Sequence, residues 1–279
     1  MGEAMLTRAG GAGGSSEPAI PVLPGYHSIL VTLRDYQGGL VKNYGISCND
    51  GAQTYNYTTN EKGQSLFTTN SGKANFTVSN SSGSIRYIDF NETIVNKDAP
   101  LGQVTKLNIN LAKATSKIVT ASGNYGFLLA INVNAVLCGG GGGGGGGSND
   151  SRDEYDSNAY GGRGGNGYTE SISYAVESNK NYYITIGQGG SGGKGSKYTH
   201  GYQRADNGST GGTTTFAGFS ATGGGGGEGA IFESITGIRD GRPGSGGPGL
   251  SPYGIGGSGG YLETGNGSTG KSGCVKFTF

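Results

Sequence analysis

The stretch 135-AVLCGGGGGGGGG-147 joins a short apolar run to nine consecutive glycines. A glycine run is a poor helix former, because each glycine costs about 1 kcal/mol of backbone entropy relative to alanine. It is also a poor ordinary strand, since it offers no side chain to pack on a pleated sheet. Two interpretations fit such a run: a flexible linker, or an extended, polyproline-II-like segment whose bare backbone touches neighbouring backbones.

Glycine is concentrated in the second half of the chain. Of the 62 glycines, 46 follow Cys138, so about one-third of that half is glycine, a collagen-like level. Collagen is excluded, because there is no strict Gly-X-Y repeat and only 7 prolines occur. A linker would occur once, whereas these strings recur between strand-like segments, which favours a bundle of packed extended segments. The further strings are 161–167, 187–193, 223–227, 244–249 and 254–260.

Residues 26–111 have a different pattern, in which short alternating segments are separated by turn signals. The segment 28–34, SILVTLR, alternates apolar and polar residues and ends at DYQGG. A series of such segments is typical of an antiparallel β-sandwich. The predicted strands of this region are 28–34, 40–48, 54–59, 65–68, 74–78, 85–90 and 104–111.

The order of motifs in this region resembles the carboxypeptidase-regulatory-like, or CnaB-like, immunoglobulin-type module. The matching residues are Asp35-x-x-Gly38, Leu40-Val41-Lys42-Asn43, Thr59-Asn60-Glu61-Lys62-Gly63, Phe67, Ser71-Gly72 and Phe76-x-Val78. The resemblance implies an Ig-like antiparallel β-sandwich over 25–112. Modules of this kind serve as spacers or docking units and carry no catalytic residues.

The second half resembles the glycine-rich domain of bacteriophage tail proteins and of the T-even-type tail-fibre adhesins. The matching residues are Val136-Leu137-Cys138 with 139–147, Tyr183-Ile184-Thr185-Ile186-Gly187-x-Gly189-Gly190, Gly211-Gly212-Thr213-Thr214-Thr215-Phe216, Ala221-Thr222 with 223–227, and Gly270-Lys271-Ser272-Gly273. The resemblance implies packed polyglycine-II helices and β-strands over 113–279. The predicted fold is therefore all-β, an Ig-like sandwich followed by a glycine-rich domain. The N-terminal half does not look like the fibre-attachment domain of those adhesins, which leaves the position on the particle open.

Residues 1–24 are predicted to form an extended arm. A part rich in glycine and serine is followed by three prolines, which stiffen the approach to the first domain. The arm is either a disordered tail or a segment that attaches the protein to the particle through Met5, Leu6 and Arg8. The sequence leaves both interpretations open.

Composition excludes several classes of protein. The net charge of +1 and the absence of a Lys/Arg run argue against a dedicated nucleic-acid binder. No apolar segment of 18 residues exists, so no membrane span is predicted. The N-terminus lacks the apolar core of a cleaved signal peptide. Cys48, Cys138 and Cys274 form no disulfide framework, and they are predicted to be free thiols of a protein made in a reducing cytosol.

Three motif matches are interpreted as accidents of the glycine content. Residues 265–272 read GNGSTGKS, a literal phosphate-loop match, yet no helix follows to hold a phosphate. Residues 254–259 match G-x-G-x-x-G and fail the same test of context. Residues 161–168 resemble one calcium-binding nonapeptide, but no second copy exists to stack on it.

The sequence shows no catalytic constellation. The four acidic residues between 150 and 156 are predicted to form a solvated loop, because a metal site needs convergent oxygens. His27 and His200 lie far apart, with no nucleophile motif near either. A hydrolase of cell-surface glycans is disfavoured, because the paired-carboxylate motif is missing. We therefore predict no enzymatic activity, no cofactor and no metal.

The inserts between the glycine strings carry the tyrosines and charges that the strings lack. Tyrosine and arginine on loops over a rigid scaffold are typical of recognition surfaces. The alternative is that these are ordinary loops that shield the ends of the glycine segments. The inserts are 148–160, 194–207, 230–242, 250–253 and 261–263. The predicted receptor-binding residues are Tyr155, Tyr160, Tyr198, His200, Tyr202, Arg204, Phe232, Arg239, Tyr253 and Tyr261.

Together these observations predict a non-enzymatic structural protein of a phage virion, made in the host cytoplasm and displayed on the particle surface. The leading hypothesis is an adhesin that binds a host cell-surface receptor, protein or glycan, through loops of the C-terminal domain. Its other partners would be virion proteins, contacted through the arm and the sandwich, and neither nucleic acid nor membrane. The alternative is a capsid decoration or head-fibre protein whose glycine-rich domain is an outward knob. Homo-oligomer formation stays open.

Overall fold

β-strands and extended segments make up the chain over the residues that the computed structural model describes, namely 24–150, 157–198, 203–232, 237–261 and 265–279; no helix occurs within these ranges. The all-β prediction is confirmed. The strands are β1 (His27–Arg34), β2 (Gly45–Asn49), β3 (Thr54–Thr58), β4 (Gln64–Thr69), β5 (Lys73–Val78), β6 (Ser81–Ser82), β7 (Ile85–Tyr87), β8 (Phe90–Asn91), β9 (Thr93–Asp98), β10 (Val104–Asn110), β11 (Ala112–Lys113), β12 (Ser116–Val119), β13 (Gly123–Gly126), β14 (Ile131–Cys138), β15 (Ser148–Asp150), β16 (Ser157–Ala159), β17 (Thr169–Val176), β18 (Tyr182–Ile184), β19 (Ser196–Tyr198), β20 (Gln203–Arg204), β21 (Thr214–Phe216), β22 (Phe219–Ala221), β23 (Ile231–Phe232), β24 (Ile238–Arg239) and β25 (Cys274–Thr278).

Among the described residues, the first compact unit contains 24–34, 40–78 and 94–109. It has a three-stranded sheet of order β10-β1-β4 and a four-stranded sheet of order β3-β2-β5-β9. In β4 and β5 buried side chains alternate with more exposed ones, so each strand presents one apolar face. Phe67 of the first sheet meets Phe76 of the second edge to face, with ring centroids 5.1 Å apart. These rings join the two sheets into one core.

The second compact unit contains 35–39, 79–93 and the described residues of 110–279. Its larger sheets have the orders β12-β25-β14-β17 and β18-β13-β7-β6. In β14 the apolar residues Val133, Ala135 and Leu137 are buried, while Asn132 and Asn134 are exposed and Val136 is half-buried. This alternation turns one face of β14 to the core, and the sheet order makes β14 an inner strand. Its C-terminal end leads directly into the glycine run.

An aromatic cluster forms the core of the second unit. Phe127, Phe216 and Phe277 are fully buried. Phe277 meets both other rings edge to face, at centroid distances of 5.8 Å to Phe127 and 5.0 Å to Phe216. Such edge-to-face pairs add about 0.5–1.5 kcal/mol each beyond the area that they bury. The cluster anchors the sheet from which the glycine segments extend.

Residues 79–93 belong to the second unit because Asp89 is bound inside it. The Asp89 carboxylate is fully buried and accepts hydrogen bonds from the backbone N–H groups of Leu128 and Leu129 at 2.9–3.1 Å. It also accepts the Tyr36 hydroxyl at 3.3 Å, and residues 35–39 belong to the same unit. The two units therefore interleave along the sequence, whereas the predicted domains, 25–112 and 113–279, are consecutive. That domain division stays a prediction.

Candidate recognition site

Eight glycine-rich segments lie side by side in the second unit. Most of their backbone N–H groups donate to a carbonyl of a neighbouring segment. The central segment, g1, is buried along its whole length. We name the segments g1 (139–147), g2 (161–168), g3 (187–195), g4 (206–212), g5 (222–230), g6 (241–247), g7 (254–260) and g8 (265–273).

The amide groups of g1 donate to three neighbours in strict rotation: g2, then g4, then g8. The order repeats every three residues over the whole segment. The bonds are Gly139 to Tyr168, Gly140 to Gly212, Gly141 to Lys271, Gly142 to Gly165, Gly143 to Ser209, Gly144 to Ser268, Gly145 to Gly162, Gly146 to Asp206 and Gly147 to Gly265, at 2.8–3.0 Å. A backbone that turns one-third of a revolution per residue produces this rotation.

The carbonyl groups of g1 accept from the other three neighbours, again in rotation. Gly224 of g5 donates to Gly140 O, and three residues later Gly227 donates to Gly143 O, each at 2.9 Å. Donors from g3 and g7 fill the positions between them. The central segment is therefore bonded to six others, and its polar backbone groups are satisfied although it is buried.

Side chains have no room inside this arrangement. A Cβ built on Gly142, Gly143 or Gly144 would lie 1.9–2.0 Å from a backbone oxygen of g5, g3 or g7 respectively. Atoms in ordinary contact lie 3.4 Å or more apart. Glycine is required here because neighbouring backbones approach where a Cβ would stand.

The connections between segments collect at two ends. Gly190 and Gly193 bond to Gly141 and Gly144, so g3 runs parallel to g1, whereas g2 and g4 run antiparallel to it. Direction alternates through all eight segments, which places the connections after g1, g3, g5 and g7 together beyond Gly147. We call this the loop end. Its small sheets have the orders β16-β15-β19 and β20-β23-β24. We call the opposite end, at Cys138, the strand end.

Tyr160 and Tyr261 form an exposed aromatic pair at the loop end. Their ring centroids are 5.2 Å apart, and the side chains are 40% and 61% exposed. The Tyr160 N–H donates to the Asp240 carboxylate at 2.8 Å, which ties the first ring to the connection after g5. The neighbouring Tyr261 hydroxyl, slight desolvation and Asp240 raise the pKa of Tyr160, so this phenol stays neutral and can donate a hydrogen bond.

The other predicted receptor-binding residues divide into three groups. Arg204 lies at the loop end, where its guanidinium donates to Asn207 at 3.2 Å, and Arg239 lies there exposed in β24. Phe232 is fully buried, so its side chain packs inside the unit and is not part of the exposed surface. Tyr253 lies at the strand end, where its carbonyl is 3.9 Å from Cys138 Sγ.

Several predicted residues lie wholly or partly outside the described residues. The backbone of Tyr198 lies in β19 at the loop end, and its side chain lies outside the described part of the chain. The others, which also lie outside the described residues, are Tyr155, His200, Tyr202 and the predicted attachment residues Met5, Leu6 and Arg8.

Sequence reasoning missed a set of asparagines that fasten the glycine segments. The side-chain oxygens of Asn166, Asn207 and Asn266 accept the N–H groups of Gly256, Gly229 and Gly195 at 2.8–3.0 Å. Each bond crosses to a different segment and closes a gap in the backbone pattern. The signal in the sequence was an isolated asparagine inside or beside a glycine string.

The phosphate-loop match at 265–272 lies within g8, one of the packed glycine segments. The N–H groups of Gly267, Ser268, Gly270 and Lys271 already donate to backbone carbonyls of g3 and g7 at 2.7–2.9 Å. They cannot also surround a phosphate. In the part of the chain that the structure describes, no group of three His, Cys, Asp or Glu residues converges, and no helix is long and apolar enough to cross a membrane.

Comparison with known proteins returned no match to a protein-family model, to a curated protein or to a solved structure.

Proposed function

We propose that the glycine segments form a polyglycine-II lattice and that the first unit is an Ig-like β-sandwich. The three-residue rotation of the g1 hydrogen bonds supports the first assignment, since polyglycine II has three residues per turn. Two small sheets joined by buried phenylalanines support the second, and the pairs β1–β4, β2–β3 and β2–β5 are antiparallel. Both assignments concern architecture alone, and function has to rest on the loop end.

We propose that the protein is a non-enzymatic structural protein of a phage virion and that it acts as an adhesin. The observation that carries the proposal is the gathering of four connections at one end of a backbone-bonded scaffold. These connections hold the exposed pair Tyr160 and Tyr261 together with Arg204 and Arg239. Aromatic and arginine side chains are the residues that dominate binding energy at protein surfaces.

The scaffold gives these loops a fixed base. The lattice is held by backbone hydrogen bonds, so exposed loop side chains such as Tyr160 and Tyr261 can serve recognition while those bonds stay in place. A rigid base also lowers the entropy lost when loops bind a partner, which raises affinity for a given set of contacts. A rigid base that carries separate binding loops suits a protein that must bind a host cell-surface receptor, protein or glycan.

The remaining parts of the proposal concern attachment to the particle. The N-terminal arm, through Met5, Leu6 and Arg8, and the first unit would contact other virion proteins. The protein would be made in the host cytoplasm and displayed on the virion surface. A capsid decoration or head-fibre role is the competing hypothesis, and it predicts that loop-end substitutions leave cell binding unchanged.

The test compares the two ends of the lattice. Labelled full-length protein is titrated onto a panel of bacterial isolates, and cell-bound label is measured by flow cytometry. The double variant Tyr160→Ala with Tyr261→Ala should weaken binding about tenfold or more, because a truncated central aromatic costs about 1–2 kcal/mol or more. The matched variant Tyr168→Ala removes a tyrosine that is 41% exposed at the strand end, and it should bind like the parent.

Two results would contradict the adhesin proposal. One is parental binding by the double variant. The other is an equal loss in the Tyr168→Ala variant, which would point to general damage or to adhesion by the whole surface. Thermal unfolding of each variant, measured beside the binding, separates lost contacts from lost structure.

A further inference from the structure

A groove of about 240 Å³ opens in the second unit beside the edge of β12. Its floor contains Ile88, Val119 and Tyr125, all of them buried. Arg86 and Lys117 stand at its rim, and Ile118, 44% exposed, lies along its edge. The sheet of β12 leads into g1 through β14, so this groove lies on the side of the lattice opposite the loop end.

The backbone of β12 is unpaired on the groove side. β12 is the edge strand of its sheet, with β25 as its one neighbour among the described residues. Phe279 N donates to Thr115 O at 3.2 Å, and antiparallel pairs alternate, so Lys117 and Val119 direct their backbone groups toward β25. The N–H and C=O of Ile118 therefore point outward. This edge offers a donor and an acceptor to a fifth strand.

The two rim cations have no anion beside them. Neither Arg86 nor Lys117 makes an ion pair in the described part of the chain, and no acidic residue lines the groove. The nearest buried carboxylate in the sequence, Asp89, is already bound by two N–H groups and by the Tyr36 hydroxyl. The groove thus combines an apolar floor, two unpaired positive charges and an open strand edge.

We propose that the β12 groove binds an extended acidic segment of another polypeptide, which adds to the sheet as a fifth strand. The strand edge requires a peptide backbone, the floor takes an apolar side chain, and Arg86 with Lys117 take a carboxylate. A small carboxylate would meet the cations and leave the Ile118 backbone unpaired. The four residues of β12 match about 13 Å of extended partner.

This inference goes beyond the proposed function, because it uses none of the loop-end residues. It assigns the strand end a protein-binding role, and it holds whether or not the loop end binds a receptor. A partner that docks by strand addition at one end would leave the opposite end exposed.

The probe is the fluorescently labelled pentapeptide acetyl-TVEVT-amide, titrated with full-length protein and followed by anisotropy. Valine and threonine favour the extended state, and the central glutamate supplies the charge. An isolated strand of this length should bind with a Kd of about 0.1–1 mM. The charge-reversed peptide acetyl-TVKVT-amide should bind at least about tenfold more weakly, because lysine would face two cations.

Two edge variants separate strand addition from general damage. Ile118→Pro removes an outward N–H without removing a bond to β25, so it should abolish peptide binding. Ser173→Pro is its matched control: Ser173 is an exposed residue of β17, the other edge strand of the same sheet, and its N–H also points outward. The control should bind the peptide like the parent.

A second set of variants keeps the test decisive if proline disturbs folding. Arg86→Gln with Lys117→Gln changes only rim side chains and should weaken binding about tenfold while removing its salt dependence. The proposal is overturned if Ile118→Pro folds and binds like the parent, or if the two peptides bind equally. It is also overturned if N-acetylglutamate amide binds as tightly as the pentapeptide, because then the site takes a carboxylate and no strand.

Discussion

Replacing Gly143 by alanine tests the role of the glycine run most directly. Gly143 lies at the centre of g1, and a Cβ there would stand 1.9 Å from Ser191 O and 2.3 Å from Ser191 C. These are backbone atoms of g3, so no rotamer change can relieve the contact. Ordinary contact begins at 3.4 Å, so g1 and g3 must separate by about 1.5 Å at this point.

The cost of that separation follows from the bonds between the two segments. Gly190 N donates to Gly141 O and Gly193 N donates to Gly144 O, each at 2.8 Å, on either side of Gly143. Opening both leaves buried donors and acceptors unpaired, at about 1–3 kcal/mol each when no water replaces the partner. We expect a loss of about 3–5 kcal/mol in the free energy of unfolding. For a unit of this size, that lowers the melting temperature by roughly 10 °C.

Two further glycines of the same unit provide graded controls. A Cβ on Gly123 would meet only Tyr125 Cε2 at 3.9 Å, so Gly123→Ala should change the melting temperature by less than about 2 °C or raise it slightly. A Cβ on Gly225 would meet the movable Ser245 hydroxyl at 2.9 Å, so Gly225→Ala should be intermediate. Circular dichroism melts of the three variants give the order of their melting temperatures. A melt of Gly143→Ala that coincides with the parent would refute the packed-lattice reasoning and return the run to the linker class.

Three other predictions follow from buried groups. Burial raises the pKa of Asp89 in the folded protein above its ordinary value of 3.8. The stability that this group contributes is therefore complete below pH 3.8, and it is lost as the pH rises through the pKa of the folded state. Asp89→Asn should remove that pH dependence from urea-unfolding curves, and an unchanged dependence would contradict it. Burial raises the pKa of Cys48 to about 11 and of Cys274 to about 12, so neither these nor buried Cys138 should react with a thiol reagent until guanidinium unfolds the chain. Phe232→Ala should lower the free energy of unfolding by about 3–5 kcal/mol in a thermal melt, and a stable variant that loses cell binding would place Phe232 in the receptor contact.

The strands of the first unit could be predicted because alternation is a local signal. The predicted strand 28–34 is β1 at His27–Arg34, and 74–78 is β5 at Lys73–Val78. β9 was missed, because TIVNKD carries only two apolar residues and its pairing with β5 is a tertiary effect. The segment 117–125 has the pattern of one strand in the sequence, yet the structure divides it into β12 and β13, which lie in different sheets.

The sequence predicts that the glycine run packs against other segments, but it does not predict which segments lie beside it or in what register. A homopolymer has no side-chain pattern, so nothing within 139–147 selects one register over another. The register comes from residues outside the run, such as Asn207 and Asn266, whose side chains bond to Gly229 and Gly195. Pattern analysis of single segments does not detect such bonds, because each joins positions that are distant in sequence.

The placement of Tyr253 shows which rule was missing for the candidate site. When packed segments alternate in direction, the connections after odd-numbered segments meet at one end and those after even-numbered segments meet at the other. Tyr160 and Tyr261 follow g1 and g7, whereas Tyr253 precedes g7 and follows g6. Numbering the glycine strings along the sequence is enough to assign these tyrosines to opposite ends. The same rule assigns the strand-rich connections after g2 and g4 to the end that holds the β12 groove, so one chain presents two chemically different ends.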